Sequence, residues 1–273
     1  MGSVCISMNG KMLYSHTTGY SSMEGTHAVS ANENTKYRIA SITKMFTAAI
    51  IFQLIQEGKL DYSNTLDQFL PGLPGASKIT IAMMMSHRSG LHNILDDPDY
   101  PNWKSQPKTK EEVLKMINRY PLDFAPDSKA AYSNTNYILL GYIIEEKCGK
   151  PYSEKQVEAD MSILAGAGAL LSTPDDLNKF IQGLYAHKLF KSRYLLHMQS
   201  ITDGFGMGMT EFVYGEHKAY GHTGSIDGFN SQLEYFPDDK LAIAYCSNGL
   251  SIPIADVLNE VHSIVYQALE EYK

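Results

Sequence analysis

Three short stretches carry side chains whose types and spacing suit chemistry on an acyl group: Ser41-Ile-Thr-Lys44, Tyr132-Ser-Asn134 and His222-Thr-Gly224. Ser41 and Lys44 stand three positions apart, which puts both on one face of a helix and lets the amine reach the hydroxyl. A serine hydroxyl is a weak nucleophile until a base takes its proton, and a lysine serves as that base only when burial or a nearby cation lowers its pKa. The phenol of Tyr132 could relay a proton to a leaving group, and the amide of Asn134 could hold both lysine and substrate. Gly224 would let a substrate approach a strand edge closely, with His222 adding a hydrogen bond or a charge beside it. Each stretch has an ordinary structural reading as well. Ser41 could cap a helix, Tyr132 could fill a core, and His222 could sit in a glycine-rich turn. Similar triplets occur elsewhere, at Ser105 to Lys108, Tyr62 to Asn64 and Tyr100 to Asn102. Either Lys44 or Tyr132 could be the general base.

The elements that would position these groups are readable from local pattern. Val4 to Met8 and Lys11 to His16 flank Asn9-Gly10, a hairpin signal. A helix is expected from about Ser41 to the capping Gly58; it is apolar on nearly every side and therefore central. Residues 60–185 read as mostly helical. Thr109-Lys-Glu-Glu112 is a capping box. Ser133 to Cys148 forms a helix ending at Gly149, and Thr173-Pro-Asp-Asp176 opens another that runs to about Tyr185. Phe229 to Phe236 and Leu241 to Cys246 read as paired strands, and residues 254–269 as an amphipathic helix. Strands at both ends with helices between predict an α+β fold: an antiparallel β-sheet flanked by helices, beside a mostly helical lobe. The expectation is one domain with two lobes, residues 1–40 with 186–273 and residues 41–185, and a site in the cleft between them.

Composition narrows the functional classes. A hydrophobic fraction of 44% supplies a core, and 23 basic against 30 acidic residues leave no electrostatic reason to expect nucleic acid. The apolar run around residues 45–55 is too short for a membrane span, and the first residues predict no signal peptide. Cys5, Cys148 and Cys246 form no disulfide framework. His87 and His92 lack the spacing of a zinc site, and Asp96, Asp97 and Asp99 lack the remaining ligands of a calcium loop, so no metal is expected. Met83 to Met85 reads as core packing.

Taken together the motifs resemble the penicillin-recognising serine enzymes, nearest the branch of class C β-lactamases, D-alanyl-D-alanine carboxypeptidases and esterases. Longer stretches carry the resemblance too. They are residues 37–48 around Ser41, Ser86-His-Arg-Ser-Gly-Leu91, Phe124-Ala-Pro-Asp-Ser128, residues 169–177 and residues 221–229. The resemblance implies a β-lactamase/transpeptidase-like fold and an acyl-enzyme mechanism on amides or esters without a cofactor. It implies Ser41 as nucleophile, Lys44 and Tyr132 as the acid–base pair, and Asn134 as an orienting group. His222, Thr223, Gly224 and Ser225 would bind substrate, with the N–H groups of Ser41 and Ser225 as an oxyanion hole. Small molecules or peptides would be the substrates, and the family suggests a periplasmic or secreted location.

Three departures shape the expectation. His222 stands where most β-lactamases of this group have lysine, which favours a peptidase or esterase over an efficient β-lactamase. The segment from Tyr152 to Gly166 is shorter than in relatives, which predicts a wider cleft and poorer positioning of water. That raises the alternative of a protein that binds or is acylated without turnover. The helix that precedes the first strand in relatives has no counterpart in this sequence, which predicts a sheet face covered by the C-terminal helix alone and open to self-association.

Overall fold

A computed structural model describes residues 1–24, 27–150, 152, 163–249 and 254–271. Strands β1 (Gly2–Met8) and β2 (Lys11–Thr18) form the opening hairpin. At their turn Asn9 and Gly10 both have positive φ, 52° and 80°, as an Asn-Gly turn matched to strand twist requires. A second hairpin, β3 (Tyr20–Glu24) and β4 (His27–Ser30), stands apart from the main sheet. The short strand β5 (Tyr37–Arg38) then leads through a 3-10 turn, Ala40–Ile42, into α1 (Thr43–Gln56). That helix buries residues on all sides, among them Met45, Ala48, Ile51 and Phe52. Gly58, with φ of 70°, follows its end.

Between α1 and residue 133 the chain makes short helices, α2 (Ile81–Met85), α3 (Tyr100–Trp103) and α4 (Lys110–Ile117), joined by turns. Long helices are excluded here by breakers such as Pro71, Gly72, Pro74 and Gly75. The expected capping box opens α4: Glu112 N–H donates to Thr109 Oγ1 at 3.2 Å, and Thr109 N–H to Glu112 Oε2 at 2.8 Å. The long helix α5 (Asn134–Cys148) ends at Gly149, φ 64°. Then come α6 (Ala165–Gly168), β6 (Leu171–Ser172), α7 (Pro174–Tyr185) and α8 (Ser192–Gln199). Thr173 caps α7 by accepting the Asp176 N–H at 3.1 Å.

Strands β7 (Thr210–Tyr214), β8 (His217–Ile226), β9 (Phe229–Phe236) and β10 (Leu241–Ser247) complete a six-stranded antiparallel sheet, and α9 (Ile254–Glu271) closes the fold. The strand order is β2-β1-β10-β9-β8-β7, so the first strand pairs with the last named one, β10, with Cys5 facing Ala244. The α+β fold with an antiparallel sheet flanked by helices is therefore as the sequence predicts.

The two sheet faces have different tasks. The outer face packs Ile6, Ala219, Phe236 and Ile243 against Val261 and Val265 of α9. The inner face joins the main core with α1, α5, α7 and α8. α7 lies within the range expected for the helical lobe, yet it rests on the sheet. Its buried Asn178 donates to the carbonyls of Cys5 at 2.9 Å and Ala242 at 3.3 Å, which pins the helix across β1 and β10. Among the described residues β2 is exposed along nearly its whole length, with Met12, Leu13 and Tyr14 at 54%, 57% and 50%.

Candidate active site

The turn that presents Ser41 is anchored from both sides. Tyr37 at its start is buried, its hydroxyl 2.7 Å from Ser3 Oγ on β1. Ala40 has φ of 44°, a left-handed conformation that non-glycine residues seldom adopt. It swings the chain out of β5 and sets Ser41 in the first turn, where backbone N–H groups lack intrahelical partners.

Ser41 Oγ lies 3.0 Å from Lys44 Nζ and accepts the Tyr132 hydroxyl at 2.8 Å. Lys44 is fully buried, and its Nζ also donates to Asn134 Oδ1 and to the Ala167 carbonyl, each at 2.8 Å. Asn93 fixes the sense of the Asn134 amide. Asn93 Oδ1 accepts the Asn134 backbone N–H at 3.0 Å, so the Asn134 atom 3.3 Å from it is the donor Nδ2, and Oδ1 turns towards Lys44.

Protonation follows from burial. Removal from water pushes the Lys44 pKa well below 10.5, because it disfavours the charged amine. A neutral amine has two N–H groups and one lone pair. Asn134 Oδ1 and the Ala167 carbonyl can only accept, so they take both N–H groups and leave the lone pair facing the Ser41 hydroxyl. Burial acts in the opposite sense on Tyr132, pushing its pKa up to about 12 against a smaller lowering from the Ser41 hydrogen bond. Tyr132 is thus a protonated phenol donating to Ser41, and Ser41 in turn can donate to Lys44.

The strand edge completes the site. β7 pairs with β8 only as far as Gly221, so residues 222–226 of β8 have one free edge among the described residues. A two-residue turn at Asp227 and Gly228, φ 45° and 86°, closes the pair Ile226–Phe229. Antiparallel alternation from that closing pair points the N–H groups of Ser225 and Thr223 away from β9 and towards the free edge. Gly224 brings this edge against the Ser41 turn. A Cβ there would lie 2.2 Å from the Ile39 carbonyl, which also accepts Ser231 Oγ at 2.9 Å. The side chains of Thr223 and Ser225 are exposed. Ser41, Asn134, Ala167 and Ser225 line a cavity of about 350 Å³ with Leu164 and Asp227. At its mouth Asp227 is held by Arg38 at 3.0 Å and Lys104 at 2.9 Å.

His222 is buried beside this edge, its ring 6.4 Å from that of Tyr132. Nδ1 lies 2.6 Å from the Thr223 carbonyl and so carries the proton. Burial first, then the nearby Lys44, lowers its pKa to about 4, so the ring is neutral.

The structure therefore joins Ser41, Lys44, Tyr132 and Asn134 by direct hydrogen bonds and sets His222, Thr223, Gly224 and Ser225 along the adjoining edge. Sequence reasoning missed the Ala167 carbonyl and Asn93, whose parts are backbone and outer-layer contacts without a motif. The shortened segment after Tyr152, with its expected effects on cleft width and water, lies almost wholly outside the described residues.

A family profile described as Beta-lactamase matches residues 2–155 and 154–265. Penicillin-binding protein 4* of Bacillus subtilis (strain 168) is 34% identical over 161 residues, covering 56% of this chain and 34% of that protein. A putative D-alanyl-D-alanine carboxypeptidase of Salmonella typhimurium is 34% identical over 138 residues, covering 46% of this chain and 31% of that protein. The matched region thus spans about a third of each curated relative. Among solved structures, the D-amino acid amidase of Ochrobactrum anthropi SV3 complexed with L-phenylalanine superposes with a TM-score of 0.86 at 22% identity, covering 99% of this chain and 93% of that one. The penicillin binding protein of Bacillus halodurans gives 0.82 at 19% identity, covering 96% of each. These two likenesses establish the fold.

Proposed function

The chain belongs to the Beta-lactamase family, and from that premise we propose that it is a serine hydrolase acting through an acyl-enzyme on amides or esters. The observation that carries the reading is the continuous hydrogen-bonded chain from Tyr132 through Ser41 to Lys44, with Asn134 and the Ala167 carbonyl beyond it.

In this reading Ser41 gives its proton to the Lys44 lone pair while Oγ bonds to the substrate carbonyl carbon. The negative charge that develops on the carbonyl oxygen is met by the N–H groups of Ser41 and Ser225. Tyr132 gives its proton to the departing amine or alkoxide, and the proton held by Lys44 then restores the phenol. Water attacks the acyl-enzyme by the reverse route and frees the acid. Asn134 keeps the Lys44 amine in register and offers its amide to the substrate. Thr223 and Gly224 give the acyl chain a strand edge to pair with, and a neutral His222 supplies hydrogen bonding without charge.

D-amino-acid amides or peptides and small esters are the substrate classes this reading favours, over efficient turnover of β-lactams. It treats the chain as one domain of two lobes with the cleft between them. A periplasmic or secreted location is what the family resemblance implies for this reading. No helix among the described residues is long and apolar enough to cross a membrane. The exposed Met12, Leu13 and Tyr14 on edge strand β2 support self-association there, for which sedimentation velocity is the test.

Turnover of a short-chain nitrophenyl ester and of a D-amino acid amide tests the reading. Ser41→Ala is expected to lose at least about a thousandfold in kcat with its fold intact. Ser41→Ala turnover near the wild-type level would refute the assignment. A lasting acyl adduct on Ser41 without product would favour acylation without turnover.

A further inference from the structure

We infer that His87 is the positioning residue for Tyr132, holding the backbone on both sides of the phenol and packing its ring against it. The catalytic consequence rests on the proposed hydrolase reading; the positioning itself does not.

Tyr132 sits in a stretch with no regular secondary structure, residues 119–133, just ahead of α5. Such a stretch has no ladder or helix bonds of its own to fix the direction of a side chain. Nor is the start of α5 set by the usual cap, for Ser133 makes no side-chain capping bond and its buried Oγ has no partner among the described residues. The anchoring comes instead from the segment Ser86-His-Arg-Ser-Gly-Leu91. The Ala131 N–H donates to the His87 carbonyl at 2.9 Å, and the Ser133 N–H donates to His87 Nδ1 at 3.2 Å. One residue thus grips the chain immediately before and immediately after Tyr132.

The imidazole also packs against the phenol at a tilt of 33°, with ring centroids 4.6 Å apart, and is backed by Tyr137 at 5.3 Å and Phe205 at 5.1 Å. Neighbours of His87 extend the same grip. Arg88 Nε holds Asp127 Oδ1 at 2.6 Å, and the Arg88 carbonyl accepts the Asp127 N–H at 2.8 Å. The Gly90 carbonyl accepts the Asp123 N–H at 2.9 Å. To present Nδ1 inward, His87 takes a left-handed backbone, φ 57°, while almost fully buried.

His87 does this as a neutral ring. Nδ1 accepts from Ser133, so the proton is on Nε2. Burial, then the proximity of Lys44 and His222, holds the pKa well below 6.5. Its effect is therefore geometric, and its loss adds no limb to the pH profile of turnover.

Two substitutions separate the grip from the packing. His87→Phe keeps a ring and removes the acceptor. His87→Asn places Oδ1 where Nδ1 was, and asparagine tolerates a left-handed backbone. Expected for His87→Phe is a loss of about a hundredfold in kcat, as for a misplacement of about 1 Å, with KM within about twofold and an unchanged pH profile. His87→Asn should recover most of that loss. NMR of ring-labelled tyrosine, with the Tyr132 signal assigned by Tyr132→Phe, gives a readout that needs no turnover. A ring exchanged or removed 4.6 Å away shifts this signal in either variant, so the readout is its nuclear Overhauser contact with Phe205, whose ring lies 6.0 Å away. That contact should weaken in His87→Phe and be kept in His87→Asn. A wild type without turnover refutes the hydrolase reading and leaves the NMR series to decide the positioning. If His87→Phe does not fold, His87→Gln, which sets the acceptor one bond further out, takes its place with the same expected directions. Wild-type kcat with an undiminished Tyr132–Phe205 contact in the folded His87→Phe variant overturns the inference.

Discussion

Lys44 is the residue whose burial has the plainest thermodynamic consequence. Folding takes it out of water and lowers its pKa well below 10.5, so the unfolded chain binds one more proton than the folded one across that interval. Stability contributed at this position therefore rises with pH through the interval and levels off near 10.5. Urea unfolding of wild type and Lys44→Met between pH 7 and 9 should show the wild type gaining on the variant by about 1.4 kcal/mol per pH unit. Parallel curves would mean that Lys44 is charged in the fold and cannot take the Ser41 proton at rest. His222 works at the acid end by the same sign. Its pKa falls from 6.5 to about 4 on folding, so stability drops as pH falls across that span. His222→Gln should flatten this part of the profile, and an unchanged slope would argue against a neutral buried imidazole. Ser41, Lys44, Tyr132 and Asn134 were legible as polar side chains in short motifs, and the family resemblance selected them over the similar triplets at Ser105, Tyr62 and Tyr100. The Ala167 carbonyl, which decides where the Lys44 lone pair points, was not legible, since a main-chain acceptor can belong to any residue type.

Element by element, what was legible is what local chemistry controls: the Asn9-Gly10 hairpin, the Thr109 and Thr173 caps, the Gly149 stop and the β9–β10 pair. What was hidden is how closely elements distant in sequence approach. α6 reaches the Lys44 amine only because it packs against α5 and α1 through glycine. A Cβ on Gly141 would lie 2.7 Å from the Gly166 N, and one on Gly166 would lie 2.6 Å from the Tyr137 carbonyl. Thr47 ties the same place to α1 by donating to the Gly166 carbonyl at 2.6 Å. Gly141→Ala should therefore cost about 1–3 kcal/mol through overpacking and, by pushing α6 away, also lower kcat. Gly183→Ala on α7 is the matched control, because its Cβ meets nothing within 4 Å; it should stabilise by up to about 1 kcal/mol and leave turnover alone. Thermal melts with kcat per folded site decide this. Equal behaviour of the two variants would mean that the glycine contact does not govern the position of α6.

At the scale of the molecule the sheet separates the proposed chemistry from a second polar cluster. His222 and its cross-strand neighbour Leu233 face the cleft side, whereas Glu234, one residue on, points to the opposite face under α9. There the fully buried Glu234 carboxyl accepts from Tyr214 and Gln232 and lies 2.7 Å from His262 Nε2, with the His262 ring 3.8 Å from that of Tyr214. A buried carboxyl is tolerable only while such partners surround it. His262→Leu keeps the apolar contact of α9 and removes one partner, which should cost about 2–4 kcal/mol and lower Tm by roughly 5–10 °C. Nothing in the path from Tyr132 through Ser41 to Lys44 runs through that face, so kcat per active site, counted by covalent labelling of Ser41, should stay within about twofold of wild type. If kcat falls in proportion to stability instead, the sheet transmits the loosening of α9 to the β8 edge, and the two faces form one mechanical unit. A lowered Tm with an unchanged kcat would establish the sheet as the insulating layer and α9 as a determinant of stability alone.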